Sequence, residues 1–296
     1  MITQNVDTRT PGIFRSEMVL WIGIVTALVF FVVGKTWLMD LSNPLKYGVF
    51  FVWLFFVMMC LSFGVVRHAD CLAIILGEPY GTLILTLAVI SIEVIMISAV
   101  MLTGENNPTL ARDTMFSVLM IVLNGMLGLT LLIGGLRHHE QEYNLSGAKA
   151  YLGVLFPLAV LGLVVPRFTT SAPGGQVSTL MAIYLVIMSA GLYSVFLLIQ
   201  TMRHSQYFKQ PFDSNAEENE ADDYDHGNLI IRSVGYHALF LVLTMLPIVL
   251  LSKSMAILMN HGIVYLQAPQ ALGGFLVAIL VLAPEGLSAT KAAIAN

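Results

Sequence analysis

The sequence has little charge for its length: only 11% of its 296 residues are Asp, Glu, Lys or Arg, whereas 57% are hydrophobic. An ordinary soluble domain carries about 25% charged residues. This shortage and the mean hydropathy of +0.82 exclude a typical water-soluble protein. The 14 basic residues are scattered between apolar runs and form no stripe, so nothing indicates a nucleic-acid partner.

Cysteines and motifs of enzyme active sites are also scarce. Cys60 and Cys71 are too few for a disulfide framework or a metal cluster, and they are interpreted as packing residues. No His-x-x-x-His spacing occurs, and no nucleophile is paired with a base. His237, inside an apolar run, is interpreted as an interhelical hydrogen-bonding residue, with a proton relay as the alternative. These absences count against an enzyme and against a resident cofactor.

Apolar runs of about 20 residues, in contrast, are abundant, and a helix of that length crosses a hydrocarbon core of about 30 Å. Each run is predicted to be a helix because backbone groups in lipid must form hydrogen bonds within their own segment. The first run is too long for the core of a cleavable signal peptide. We therefore predict an all-α polytopic membrane protein, in contact with the lipid bilayer. Eight spans are predicted, at residues 17–38, 47–66, 81–103, 113–136, 149–166, 176–201, 233–253 and 270–290.

The placement of Lys and Arg predicts the orientation of these spans. With the N-terminus inside, nine basic residues lie in inner segments and five in outer ones, which favours a cytoplasmic N-terminus. The oligomeric state is left open. The predicted order is a cytoplasmic N-terminus, a first helix, a five-helix repeat, a cytoplasmic acidic loop and the start of a second, inverted repeat, at residues 1–16, 17–38, 47–201, 202–232 and 233–296.

The loop at 202–232 is the one extended polar segment after the N-terminus. One interpretation is a solvated linker whose charge keeps it off the membrane. The alternative is a regulatory segment that senses or concentrates cations, because clustered carboxylates attract Ca²⁺. The acidic residues concerned are Glu217, Glu218, Glu220, Asp222, Asp223 and Asp225.

Two predicted spans resemble each other. Gly81 lies twelve residues before Glu93 in the third span, and Gly273 lies twelve residues before Glu285 in the eighth, with almost wholly apolar residues between. Twelve residues of helix rise about 18 Å, which places each carboxyl near the bilayer midplane. Four spans separate the copies, so they run in opposite directions. Inverted repeats with binding groups at the midplane are typical of secondary transporters.

Glu93 and Glu285 are therefore the candidate ligands for a transported cation and for protons. An ionised side chain at this depth costs about 2.5–3.5 kcal/mol on insertion scales, so it needs a bound cation or a proton. Carboxylates with neutral oxygens suit a hard divalent cation such as Ca²⁺. Mutually exclusive occupancy with alternating access is an antiport mechanism. A neutral glutamic acid bonded between helices is the alternative for either residue, and an intramembrane enzyme or a cation channel is the alternative function.

Neutral oxygens near the two glutamates are predicted as accessory ligands. Pro284 has no N–H, which frees the carbonyl of Leu280. Tight helix packing at Gly125 and Gly128 would bring the preceding asparagine close to Glu93. Two serines lie in the span of Glu93, and serine and asparagine can also simply join helices. The predicted accessory ligands are Ser91, Ser98, Asn124 and Leu280.

The glutamates and several further stretches resemble the calcium/cation antiporter superfamily, and within it the bacterial ChaA-type sodium–calcium/proton antiporters. The resemblance runs over about residues 45–292. The matching stretches are Arg67-His68-Ala69-Asp70, Gly77-Glu78-Pro79-Tyr80-Gly81, Glu93-Val94, Pro108-Thr109-Leu110, Arg112-Asp113-Thr114, Gly191 to Thr201 and Pro284-Glu285-Gly286-Leu287.

This resemblance implies exchange of Ca²⁺, with Na⁺ or K⁺ as further cations, for protons across a bacterial inner membrane. It implies that the essential acidic residue of each repeat falls on Glu93 and Glu285, and that the acidic loop is the family's cytosolic acidic segment. It also implies eleven helices, of which the chain holds eight. We therefore expect an incomplete second repeat, and little transport by these 296 residues alone.

Overall fold

The computed structural model describes residues 12–77, 80–103, 110–139, 145–170, 172, 177–199 and 230–295. All regular structure in these residues is helical. Two π-helical segments, Ile121–Met126 and Val160–Val164, continue α6 into α7 and α8 into α9. The α-helices are α1 (Ile13–Ser16), α2 (Met18–Val32), α3 (Gly34–Met39), α4 (Pro44–Leu76), α5 (Tyr80–Thr103), α6 (Leu110–Met120), α7 (Leu127–His138), α8 (Leu145–Ala159), α9 (Val165–Phe168), α10 (Thr179–Leu198), α11 (Val234–Tyr265) and α12 (Ala271–Ala295).

Six helical stretches within the described ranges are long and apolar enough to cross a membrane. Two shorter apolar helices, Met18–Val32 and Thr86–Ser98, lie where the first and third spans are predicted. The predicted class, an all-α polytopic membrane protein, is confirmed. The six long stretches are Pro44–Leu76, Leu110–His138, Leu145–Phe168, Thr179–Leu198, Val234–Tyr265 and Ala271–Ile294.

The outer faces of these helices carry large apolar side chains. Phe31, Phe168 and Leu180 are each 80% exposed. Exposed apolar surface on this scale is costly in water and typical of a surface that meets lipid. The distribution of side chains therefore agrees with a bilayer as the main solvent.

Helix α4 extends well beyond the predicted span at 47–66. It begins with Pro44, whose missing N–H is harmless at the first helical position. The side chain of Asn43 caps it by accepting a hydrogen bond from the backbone N–H of Leu45 at 3.0 Å. It ends at Gly77, whose φ of 63° favours glycine. Its 33 residues rise about 50 Å, so the helix projects out of a hydrocarbon core of about 30 Å.

Packing divides the chain into two compact units, and the first consists of Met1–Glu105 and Gly227–Pro269. Within it α4 and α11 pack along each other, and α2 and α5 each contact both of them. Apolar side chains at these contacts form the core. Its fully buried members include Leu54, Met58, Leu61, Leu251 and Leu258.

The second unit consists of Asn106–His226 and Gln270–Asn296, in which α12 packs on α6, α7 and the π-helical segment between them. A Cβ atom at Gly274 would lie only 2.8 Å from the backbone nitrogen of Thr114. Glycine therefore allows α12 and α6 to approach closely. The two units interleave along the chain, whereas the predicted repeats are consecutive. A repeat is a correspondence between helices and does not require that they pack together. The predicted repeats therefore stay a prediction.

We expect Gly274→Ala to destabilise the second unit. The added Cβ would meet backbone, which cannot move aside, and overpacking of this kind costs about 1–3 kcal/mol. Gly128→Ala is the matched control, since a Cβ there meets nothing within 4 Å and alanine favours the helix by up to about 1 kcal/mol. Size-exclusion profiles after heating in detergent should show loss of Gly274→Ala at a lower temperature. Identical profiles for this variant and the wild type would contradict the close approach.

Candidate cation and proton site

Glu93 lies in the middle of α5, thirteen residues after Tyr80 and ten before Thr103. Its neighbours Ile92 and Met96 are 4% and 1% exposed. The Oε1 atom of Glu93 is enclosed, and among the described residues it has no hydrogen-bond partner. A buried oxygen in that condition is costly. A bound cation or a proton on the carboxyl would satisfy it.

Glu285 has the matching position in α12, fourteen residues after Ala271 and ten before Ala295. It is partly buried. A Cβ atom on the next residue, Gly286, would lie 4.0 Å from the Cγ atom of Met126. This part of α12 therefore faces the π-helical segment before α7, a type of structure found often at functional sites. Helices α5 and α12 therefore match in length and in the position of their glutamate.

Ser91 and Ser98 share α5 with Glu93 but lie on other faces of the helix. Successive residues are about 100° apart, so Ser91 is about 160° and Ser98 about 140° around the helix from Glu93. The Oγ of Ser91 donates to the carbonyl of Leu87 at 2.6 Å, and Ser98 is exposed. The described structure does not bring either hydroxyl to Glu93.

Asn124 lies in a π-helical segment of the second unit. Its side chain is exposed, and its amide nitrogen donates to the carbonyl of Met120 at 3.3 Å. A Cβ at Gly125 would meet only Ile121, at 4.0 Å, and one at Gly128 nothing within 4 Å. Asn124 as a ligand of Glu93, which belongs to the first unit, stays a prediction.

Leu280 lies one turn before Pro284 in α12 and is 1% exposed. Proline has no N–H, so Pro284 cannot donate to the Leu280 carbonyl as a helical residue normally would. The described residues contain no group of three or more His, Cys, Asp or Glu that could hold a metal ion. A cation at a glutamate would thus draw its other ligands from carbonyls, hydroxyls or water, as hard cations accept.

The acidic loop lies almost wholly outside the described residues, and so do all six of its predicted regulatory carboxylates. The described chain continues at Ile230 and reaches Ser233 without helical structure. The Ser233 hydroxyl then caps α11 by accepting a hydrogen bond from the backbone N–H of Tyr236 at 3.4 Å. A regulatory role for the loop stays a prediction. Those six residues are Glu217, Glu218, Glu220, Asp222, Asp223 and Asp225.

A buried polar cluster in the first unit was not identified from the sequence. Glu17, whose side chain is 4% exposed, forms an ion pair with Arg67. Its carboxylate also accepts a hydrogen bond from the Tyr236 hydroxyl at 2.7 Å and lies 3.1 Å from the Nε2 atom of His68. Arg67 donates further to the carbonyl of Ser16 at 2.9 Å. These bonds join the starts of α2 and α11 to α4. We call this group of residues the Glu17 cluster: Glu17, Arg67, His68, Tyr236 and His237.

The charge of Glu17 is set by its surroundings. Burial by itself raises the pKa of this carboxyl, but the Tyr236 hydroxyl and the charge of Arg67 outweigh burial and hold the pKa below its usual value. Glu17 is therefore ionised at neutral pH, just before the apolar helix Met18–Val32. In the sequence, Glu17 is visible only as an acid at the edge of a predicted span. The groups that contact its carboxylate can be identified only from the fold.

Two bacterial proteins are similar to the chain. The sodium-potassium/proton antiporter ChaA of Escherichia coli (strain K12) is 44% identical over 235 residues, which are 79% of this chain and 63% of that protein. The putative ionic transporter y4hA of Sinorhizobium fredii (strain NBRC 101917 / NGR234) is 39% identical over 235 residues, 79% of this chain and 62% of that protein. The match thus spans less than two thirds of the length of either relative.

A family match agrees with these two relatives. The family described as sodium/calcium exchanger protein matches residues 46–202, more than half of the chain. The matched range includes Glu93 and the predicted first repeat. The resemblance to cation antiporters drawn from the sequence is thereby confirmed. The chain belongs to the sodium/calcium exchanger protein family.

Proposed function

We propose that the protein is a secondary transporter that exchanges Ca²⁺, with Na⁺ or K⁺ as further cations, for protons. The observation that carries the proposal is the enclosed Oε1 atom of Glu93, at the middle of an apolar helix and without a described hydrogen-bond partner. One carboxyl group can bind a cation or a proton but not both together. The similarity to a sodium-potassium/proton antiporter supports this exchange.

Alternating access would use the same property at both glutamates. Glu93 and Glu285 bind the cation when ionised and release it when protonated, so each passage across the membrane carries one kind of ion. The carbonyl of Leu280, to which Pro284 offers no N–H, is the neutral oxygen that we propose as a further ligand. The cation and the proton are the transported substrates, and no resident cofactor is needed.

The location follows from the same proposal. The protein is integral to the membrane, and a bacterial inner membrane suits a proton-driven exchanger. The excess of Lys and Arg in the predicted inner segments favours a cytoplasmic N-terminus. The start of α2, with Glu17, would then lie near the cytoplasmic surface. A tag at the N-terminus should be cleaved by added protease in everted vesicles and protected in right-side-out ones.

Ca²⁺ added to respiring everted vesicles that contain the full gene product should release protons from the lumen. Entry of each cation through an exchanger returns protons to the outside, so the fluorescence of acridine orange, quenched by the pH gradient, should recover. Na⁺ and K⁺ added in separate experiments would rank the cations. Vesicles from cells without the gene are the control.

The same measurement separates the alternative functions. A Ca²⁺ channel would admit Ca²⁺ only down its concentration gradient, against the positive charge of the lumen, and would return no protons, so fluorescence would stay quenched. An intramembrane enzyme would cause neither Ca²⁺ entry nor recovery. Uptake of Ca²⁺ with persistent quenching would therefore reject exchange.

A further inference from the structure

The hydrogen bonds of His68 and His237 run in one direction. The backbone N–H of Arg232 donates to the Nε2 atom of His237 at 2.9 Å. A backbone N–H can only donate, so this nitrogen carries no proton, and neutral His237 must carry its proton on Nδ1. That atom lies 3.0 Å from the Nδ1 atom of His68, which therefore accepts. His68 then carries its proton on Nε2, which faces Glu17 at 3.1 Å.

With both rings neutral, each of the four ring nitrogens has a partner of the right kind. The Nε2 atom of His68 also lies 3.3 Å from Nη2 of Arg67. Nε2 of His68 and Nη2 of Arg67 are both donors, so they form no hydrogen bond with each other. The proton on Nε2 is donated to Glu17 instead. The two histidines are 1% and 3% exposed. At that burial, an unmatched ring nitrogen would be costly.

One added proton disturbs this arrangement at a single place. On His237 the proton must occupy Nε2, where it meets the Arg232 N–H, donor against donor. On His68 it must occupy Nδ1, and His237 must then move its own proton to Nε2, where the same conflict arises. In both cases the hydrogen bond from Arg232 breaks. The bond between the two rings and the bond from His68 to Glu17 are kept, the first with its direction reversed when the proton is on His68.

The surroundings of the two histidines give a proton a route to the rings, and the neighbouring charges affect how strongly it binds. A cavity of about 50 Å³ lies beside the rings, enough for a few water molecules. The carboxylate of Glu17 favours a positive charge on the pair, whereas Arg67 and Arg232 oppose it. Among the described residues, the charged and titratable groups around the pair are Glu17 at the start of α2, Arg67 and Cys71 on α4, and Arg232 and Tyr236 at the start of α11.

We propose that His68 and His237 form a proton-binding site, and that a proton bound there breaks the Arg232 hydrogen bond and releases the backbone that leads into α11. This site is separate from the exchange proposed above, since its proton need not cross the membrane. Helix α11 packs along α5, the helix of Glu93. The proton therefore acts at one end of a helix that contacts the helix of the candidate carboxyl. It also acts where the acidic loop joins α11.

Nitrogen-15 histidine spectra of the purified protein in detergent test this assignment. At alkaline pH we expect the proton of His237 on Nδ1 and that of His68 on Nε2, identified by the signals lost in His237→Gln and His68→Gln. On acidification from about pH 9 to about pH 4, both rings should change in one shared step, because they bind one proton together. A proton on Nε2 of His237 at alkaline pH, or two independent steps, would overturn the proposal.

Two substitutions of Arg232 isolate the backbone N–H. Arg232→Pro and Arg232→Ala both remove the side-chain charge, but only proline also removes the N–H. Without the donor conflict, the proline variant should bind its proton at a pH about 0.5–1 unit higher than the alanine variant. Equal midpoints would refute the role of the Arg232 bond. If the proline variant does not elute as a folded protein, the wild-type spectra decide the question.

Both measurements are made without transport, so they fail or succeed independently of the exchange. A shared histidine step in a protein that moves no Ca²⁺ would reject the proposed function and keep the proton site. Exchange by a protein whose histidines titrate separately would do the reverse.

Discussion

Glu93→Gln in the full gene product should reduce proton-driven Ca²⁺ uptake to the level of vesicles without the protein. Glutamine has nearly the shape of glutamate, so the packing of α5 around Ile92 and Met96 should persist. The amide can neither ionise to hold Ca²⁺ nor release a proton, and both halves of the exchange are lost together. Uptake into everted vesicles under an imposed proton gradient measures this, with the amount of protein in the membrane determined by immunoblot.

The matching change, Glu285→Gln, should give the same loss if the two helices are copies of one unit. Asp40→Asn is the control for removing a carboxylate. Asp40 lies on the surface between α3 and α4, where it accepts a hydrogen bond from the Ser42 hydroxyl at 2.6 Å. Uptake should be unchanged in this variant. Unchanged uptake in Glu93→Gln would instead reject Glu93 as a ligand.

The positions of the spans could be predicted because lipid leaves the backbone no partner except its own helix. Their lengths could not. The predicted span at 47–66 stops before Arg67 and His68, since charged and polar residues normally end an apolar run. The helix nevertheless continues to Leu76, because Glu17 of another segment supplies partners for both side chains.

The Glu17 cluster was beyond sequence reasoning for a related cause. Its hydrogen bonds join residues that are 51 and 169 positions apart, as in the contacts of His68 with Glu17 and with His237. The predicted spans placed an acid at the edge of one span, a histidine just past the end of another and a histidine inside a third, and no spacing rule pairs such residues. The interpretation of His237 as an interhelical hydrogen-bonding residue agrees with its contact with His68 at 3.0 Å.

For Glu93 and Glu285, the position along the helix could be predicted from the sequence, but the surroundings could not. Their depth followed from the twelve-residue spacing to a glycine, and the structure places both near the middle of apolar helices. Their surroundings did not follow as well. Helical periodicity alone puts Ser91 and Ser98 on other faces from Glu93, so shared membership of a span does not by itself bring them to its carboxyl. The ligand assignment of Glu93 and Glu285 stays a prediction for the transport assay.

Arg67→Met should destabilise the first unit more than Glu17→Gln does, although the two changes break the same ion pair. Arg67 has a side chain 40% exposed and Glu17 one only 4% exposed. Losing Arg67 strands a buried carboxylate, which costs about 3–5 kcal/mol, and the bonds from His68 and Tyr236 place this case near the lower end. Losing Glu17 leaves a guanidinium that can turn towards water, so its cost should be nearer 1 kcal/mol.

The double variant Glu17→Gln/Arg67→Met distinguishes this explanation from simple loss of contacts. If the stranded charge is the cause, adding Glu17→Gln to Arg67→Met should raise the melting temperature, because the amide can still accept from Tyr236 or His68 without a charge. Intrinsic fluorescence in detergent reports the transition selectively, since Trp21, Trp37 and Trp53, the three tryptophans of the chain, all belong to the first unit. A double variant less stable than Arg67→Met would mean that the Glu17 cluster acts through its contacts rather than through the balance of its buried charge.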